Sequence, residues 1–162
     1  MAEIVVREAV AEEDVARVRL LMEAYGAHLA RYPEGAANMC LSGFRDELDA
    51  LHGKYSALLL ATADGVAARC VALRRLPHVE GGCEMKRLWV GSDFRGMRIG
   101  RRLVEDAILW ARREGMTAMY LHTIAAAMPE AVQLYATMGF ERVESYHGDC
   151  TEDVEFFRLD LR

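Results

Sequence analysis

The chain has little of what staples, anchors or charges a small protein for special duty. Its four cysteines, Cys40, Cys70, Cys83 and Cys150, are scattered and form no Cys-x-x-Cys pair of the kind a zinc site favours. They read as reduced, buried thiols acting as small apolar side chains, and no metal is expected. No apolar run approaches the roughly 20 residues that cross a bilayer, and the N-terminus mixes acidic and β-branched residues where a signal peptide has an apolar centre. A cytoplasmic protein without a membrane partner is expected. A basic surplus is also missing, since 20 Lys and Arg against 25 Asp and Glu leave a formal net charge of −5. That balance argues against a nucleic-acid partner, whose phosphates call for a basic stripe, and suits a basic acceptor. With three prolines, no repeat and no low-complexity block in 162 residues that are 52% hydrophobic, one domain over residues 1–162 is expected.

What is present is periodic. Ile4 to Arg7 reads as an opening strand, and Glu12, Glu13 and Asp14 suit a first helical turn. Val15, Val18, Met22, Tyr25 and Leu29 follow at helical spacing, and Phe44, Leu48 and Leu51 suggest a second helix. Asp64-Gly65 between the apolar runs 56–61 and 66–73 predicts a β-hairpin, because both central residues of such a turn need positive φ. A fourth strand is expected from about Cys83 to Val90. Leu103, Val104, Ala107, Ile108 and Ala111 mark one face of a third helix ended by Gly115, and residues 119–123 a fifth strand. Pro129 suits the first position of a fourth helix, which Gly139 ends before two final strands.

Between strand four and the third helix stands Arg95-Gly96-Met97-Arg98-Ile99-Gly100-Arg101. A glycine loop opening a helix aims unpaired backbone N–H groups at one point, reinforced by the helix dipole, which is a cradle for phosphate. It has neither the Gly-Lys-Ser/Thr ending of a Walker A loop nor GxGxxG. The order of strand, loop and helix instead resembles the pyrophosphate loop of the GNAT N-acetyltransferases, Gln/Arg-x-x-Gly-x-Gly/Ala. Arg95 and Gly100 match its ends, while Arg98 stands at the inner glycine. Glu84 to Val90 resembles the family's fourth strand, and Ala131-x-x-Leu134-Tyr135-x-x-x-Gly139-Phe140 its last helix, so the resemblance covers residues 82–148.

The resemblance implies the GNAT fold: a mixed, strongly bent β-sheet in the order βααβββαβαββ, flanked by about four helices, with strands four and five splayed to hold the pantetheine arm. It implies acetyl-CoA as co-substrate, bound by backbone at Leu88, Trp89 and Val90 and by the loop residues Arg95, Gly96, Met97, Arg98, Ile99, Gly100 and Arg101. Acetyl transfer to an amine needs a neutral nucleophile, a polarised carbonyl and a proton for the thiolate. Glu84, eleven residues before Arg95, stands where several family members carry a general base, near the cleft mouth. His122 is the reserve base, and Tyr135 stands where the family's tyrosine faces the coenzyme sulfur as proton donor. Met128 replaces a common asparagine. The implied activity is N-acetylation of a small-molecule or peptide amine within a ternary complex. The alternative is a non-catalytic acyl-CoA-binding module, and a homodimer stays open. The acceptor pocket is expected among Tyr25, Arg31, Tyr32, Phe44, Arg45, Tyr146, His147, Asp149 and Glu152.

Overall fold

The computed structural model describes residues 1–32, 43–90, 98–147 and 154–162, with backbone alone at Trp89 and Val90. Strand β1 (Ile4–Glu8) leads into helix α1 (Glu12–Leu29), whose first turn carries Glu12, Glu13 and Asp14 at the positive end of its own dipole. The stripe from Val15 to Leu29 is buried as its spacing predicts. The expected second helix comes in two pieces, α2 (Phe44–Asp49) and α3 (Leu51–Lys54), because Ala50 leaves helical geometry at φ −139° and ψ 49°. Leu48 and Leu51 are nevertheless both buried.

Strands β2 (Ala57–Ala63) and β3 (Val66–Arg75) form the predicted hairpin. Asp64 at φ 49° and Gly65 at φ 82° supply the two positive angles that its turn requires. Every residue of β2 is buried, since helices cover both faces of the sheet. Leu58 and Leu60 join the α1 side with Val18, Met22 and Leu51, and Leu59 and Ala61 join the opposite cluster.

That opposite cluster is built on helix α4 (Ile99–Arg113), which follows β4 (Gly82–Val90). Leu103, Val104, Ala107, Ile108 and Ala111 are all buried, the larger ones contributing roughly 1.5–3 kcal/mol each. Gly115, at φ 76°, ends the run in the left-handed conformation that glycine adopts without steric cost. Strand β5 (Ala118–Ile124), helix α5 (Pro129–Thr137) with proline in its first turn, and strands β6 (Glu141–Val143) and β7 (Val154–Asp160) complete the chain.

The seven strands run β1-β2-β3-β4-β5-β7-β6. All neighbours are antiparallel except β4 and β5. That parallel pair holds only through Gly82–Ala118, Cys83–Met119 and Glu84–Tyr120, although β4 continues to Val90 and β5 to Ile124. Beyond Glu84 the two strands part. The expected splay is therefore present, and Glu84 sits at its apex.

Candidate active site

Where the strands part, a cavity of about 240 Å³ opens, lined by Leu88 from β4, Arg69 from β3, Tyr32 after α1, and Met128, Ala131 and Leu134 at α5. Parallel strands that stop pairing leave N–H and C=O groups facing the gap, and an extended amide-bearing chain can pair with them as a strand would. Leu88, expected to serve a ligand through its backbone, lies in this wall. Met128 lies there too, presenting a thioether where a polar amide was the alternative.

Arg69 connects the cavity to the start of α4. It lines the cavity, and its guanidinium lies so close to Gly100 that a Cβ at that position would collide with it. Arg98 precedes the helix with φ 56°, the left-handed geometry that a glycine would adopt there without steric cost. Its side chain is exposed, and no acidic residue occupies the first turn of α4, where Arg101 and Arg102 stand instead. A positive dipole end surrounded by arginines is an anion site in waiting. Arg95, Gly96 and Met97 lie outside the described residues, as do Cys40, Cys150, Asp149 and Glu152.

Strand β4 carries a bulge between these two features. Cys70 pairs with Trp89 and Ala72 with Lys86, so Val71 is opposed by both Arg87 and Leu88. Arg87 takes φ 65°, and the extra residue leaves backbone outside the β3–β4 ladder. The Arg87 side chain turns into the protein. It donates from Nε and Nη2 to Glu47 at 2.9 and 3.0 Å and lies over the Phe44 and Tyr25 rings, 4.9 and 5.6 Å from their centroids. Phe44 and Tyr25 thus support an ion pair instead of lining an open pocket.

Glu84 differs most from expectation. It was placed at the cleft mouth, yet it is 0% exposed. Arg74 Nε donates to its Oε1 at 2.8 Å, and the Tyr146 hydroxyl and His147 Nε2 donate to its Oε2 at 2.6 and 2.8 Å. His122 Nδ1 stands 3.6 Å from the same oxygen. Burial alone would raise this carboxyl, but the two imidazoles, the charge of Lys86 and the Tyr146 hydroxyl outweigh it and hold it far below the usual carboxylate range. The physical reason for the misplacement is the sheet: Glu84 is the last residue of β4 paired with β5, and its carboxylate is met by Arg74 from β3 and by Tyr146 and His147 from the connection after β6. Glu84, His122 and His147 bring ligating atoms within 4.8 Å of one another, a set that could hold a divalent cation. Arg74 already places a positive charge on Glu84, which opposes one.

A second cavity, of about 320 Å³, opens beside this cluster, bordered by Arg74, His78, Tyr146 and His147. His147 is the cluster's accessible member, its side chain 27% exposed against 10% for His122.

Comparison with known proteins places this geometry. A model described as Acetyltransferase (GNAT) family matches residues 19–140. The chain belongs to the GNAT acetyltransferase family. It is 35% identical over 115 residues to an uncharacterized N-acetyltransferase of Schizosaccharomyces pombe, 68% of each chain. It is 38% identical over 81 residues to an uncharacterized N-acetyltransferase of Dictyostelium discoideum, 49% of this chain and 37% of that relative's length. Among solved structures, a GNAT acetyltransferase from Staphylococcus aureus superposes with a TM-score of 0.75 at 16% identity, covering 99% of this chain and 100% of the other. YncA from Salmonella typhimurium, solved with its cofactor acetyl-CoA, gives 0.70 at 18% identity, covering 98% and 94%. The mixed seven-stranded sheet with one parallel pair is the GNAT fold.

The other expected catalytic residue, Tyr135, lies on α5 and is 4% exposed. Its ring packs against Phe140 and Phe157, at centroid distances of 5.6 and 6.0 Å. Burial, with Tyr25 nearby, pushes the phenol well above its ordinary value, with Arg69 of the cavity wall opposing. The hydroxyl therefore keeps its proton at neutral pH. Cys70 and Cys83 are buried free thiols, both pushed up to about 12 chiefly by burial, so neither supplies a thiolate nucleophile. Arg69, Arg74 and Arg87 were missed by sequence reasoning. Only Arg87 left a signal, because Glu84, Lys86 and Arg87 crowd three charges into a strand whose other members are mostly apolar.

Proposed function

We propose that this protein transfers an acetyl group from acetyl-CoA to a primary amine by direct attack in a ternary complex. The observation that carries this reading is the opening between β4 and β5, with a cavity at Leu88 joined through Arg69 to the acid-free N-terminus of α4. An extended pantetheine amide chain fits strands that have stopped pairing, and a pyrophosphate fits that helix end. Binding of acetyl-CoA by YncA, a protein of the same fold, supports the same ligand here.

In this reading backbone at Leu88, Trp89 and Val90 aligns the pantetheine, and an N–H freed from the ladder by the bulge at Arg87 and Leu88 serves the thioester carbonyl. Arg98, Ile99, Gly100 and Arg101 meet the phosphates, together with the preceding Arg95, Gly96 and Met97. Glu84 anchors the proton-accepting side of the site, and Tyr135, protonated at neutral pH, gives its proton to the departing thiolate. The acceptor is a small molecule or a peptide amine, with the compartment proposed as cytoplasmic.

Coenzyme A release from acetyl-CoA across a panel of primary amines tests the reading. Arg98→Asp tests its anchor: this exposed side chain should be replaceable without loss of fold, and reversing its charge should weaken coenzyme A binding about tenfold or more. Unchanged affinity in calorimetry would remove α4 from the site. Tyr135→Phe keeps the ring packing and should lower kcat by about 10²-fold with coenzyme A affinity intact. Coenzyme A binding with no turnover on any amine would instead support a non-catalytic acyl-CoA-binding module.

A further inference from the structure

We propose that His147 takes the proton from the acceptor ammonium, directly or through one water, and that Glu84 is the positioning residue that orients it. The inference rests on the acetyl-transfer reading and assigns within it a step that the buried Glu84 is badly placed to perform. Glu84 is fully buried and its two oxygens already accept from Arg74, Tyr146 and His147. No face of it is left for an incoming amine. His147 is bound to the same carboxylate at 2.8 Å yet is 27% exposed and borders the 320 Å³ cavity. Burial and accessibility are thus divided between two residues that act as one.

The hydrogen bond also fixes the tautomer. An ionised carboxylate only accepts, so His147 Nε2 carries a hydrogen, and in the neutral ring the lone pair lies on Nδ1. Orientation of an imidazole by a buried carboxylate is the general arrangement for a histidine base. When an N–H bond of the ammonium breaks, its electron pair stays on the amine nitrogen and the proton moves to Nδ1. The imidazolium formed faces the Glu84 charge. The amine then attacks the thioester carbon, the C–S bond breaks, and the thiolate takes a second proton, from Tyr135, which is restored by the amine's remaining surplus proton. His147 returns its own proton to solvent.

Among the described residues, the charged and titratable groups around the ring are Arg74 on β3, His78 after it, Glu84 and Lys86 on β4, His122 on β5 and Tyr146 beside it. His122 stands edge-on at 5.2 Å and is largely buried, and burial lowers its pKa against the pull of Glu84, which disfavours a second charge beside the imidazolium. This spares His147 a second positive imidazole.

His147→Gln keeps a donor for Glu84 and removes the ring nitrogen proposed to accept the proton. The expected result is an approximately 10²-fold fall in kcat/KM at neutral pH, loss of the acidic limb of the pH profile and unchanged coenzyme A affinity. His147→Gly should recover part of its rate with added imidazole. Parental kcat/KM and an unaltered acidic limb in His147→Gln would overturn the assignment. Nitrogen NMR of the histidine rings in the parent decides even if no amine in the panel is acetylated. A neutral Nε2-protonated His147 that acquires its second proton at Nδ1 on acidification supports the proposal. A ring that is Nδ1-protonated when neutral, or still charged at pH 9, overturns it and makes the Glu84 contact a structural ion pair.

Discussion

Among the described residues two glutamates lie buried, and their partners differ in kind. Glu47 on α2 is gripped through both oxygens by Arg87, a guanidinium that never gives up its proton in a protein. Glu84 on β4 is held by one arginine through one oxygen and by Tyr146 and His147 through the other. Burial and the Glu84 charge push the Tyr146 hydroxyl far up, so it stays a donor, whereas the His147 imidazole has a second ring nitrogen that can accept. Burial tends to raise both carboxyls; Arg87 brings Glu47 below the ordinary range, and hydrogen bonds from the imidazoles and the Tyr146 hydroxyl, with the charge of Lys86, bring Glu84 below it. Depth and pKa direction therefore do not separate a structural carboxylate from a functional one. In the proposed reading the two are separated by whether a partner has a nitrogen free to accept a proton and a path from it to solvent, which His147 has and Arg87 lacks.

The sharpest way to break the comparison is to open the closed pair. Arg87→Ala leaves Glu47 buried without its counter-charge and empties the space over Phe44 and Tyr25. It should cost about 3–5 kcal/mol of stability, the range for breaking a buried pair from one side. Urea unfolding should show the midpoint falling with little change in slope. A loss under about 1 kcal/mol would mean that water reaches Glu47 and that the pair is not closed.

The contrast between the two glutamates was invisible in the sequence, and the reason is distance along the chain. Arg87 and Glu47 are 40 residues apart, and Glu84 meets Tyr146 and His147 across 62 and 63. Periodicity records only which face a residue occupies on its own element. It served well for the stripes of α1 and α4, for the Asp64-Gly65 turn and for the proline that opens α5, where cause and effect lie within a few residues. It failed at Ala50, where helical spacing continued through a break. At Glu84 the cleft-mouth position came from the family resemblance, which carries no record of the cover supplied by Arg74 of β3 and by the segment after β6. The left-handed Arg98 lies between these cases: the loop pattern marked the position as one suited to glycine, and the backbone there confirms the strain.

The smallest effect should come from replacing the closed pair whole. A Glu47→Leu, Arg87→Met double variant removes two charges whose desolvation offsets much of their attraction, so stability at pH 7 should lie within about 1 kcal/mol of the parent. Acid then distinguishes the two glutamates. A carboxyl whose folded pKa is depressed contributes stability above its unfolded value, and that contribution is lost as pH falls through the folded one. His122, lowered from 6.5 by burial, adds a loss with the same sign below about that pH, since only the unfolded chain then gains its proton readily. The parent should therefore weaken steadily on acidification from about pH 6.5. The double variant should weaken less, keeping the His122 and Glu84 contributions and lacking that of Glu47, as read from urea midpoints at successive pH values. If it proves as unstable at pH 7 as Arg87→Ala, the guanidinium and carboxylate are binding α2 to β4 beyond what packing can replace. Glu47 and Glu84 would then differ in location alone.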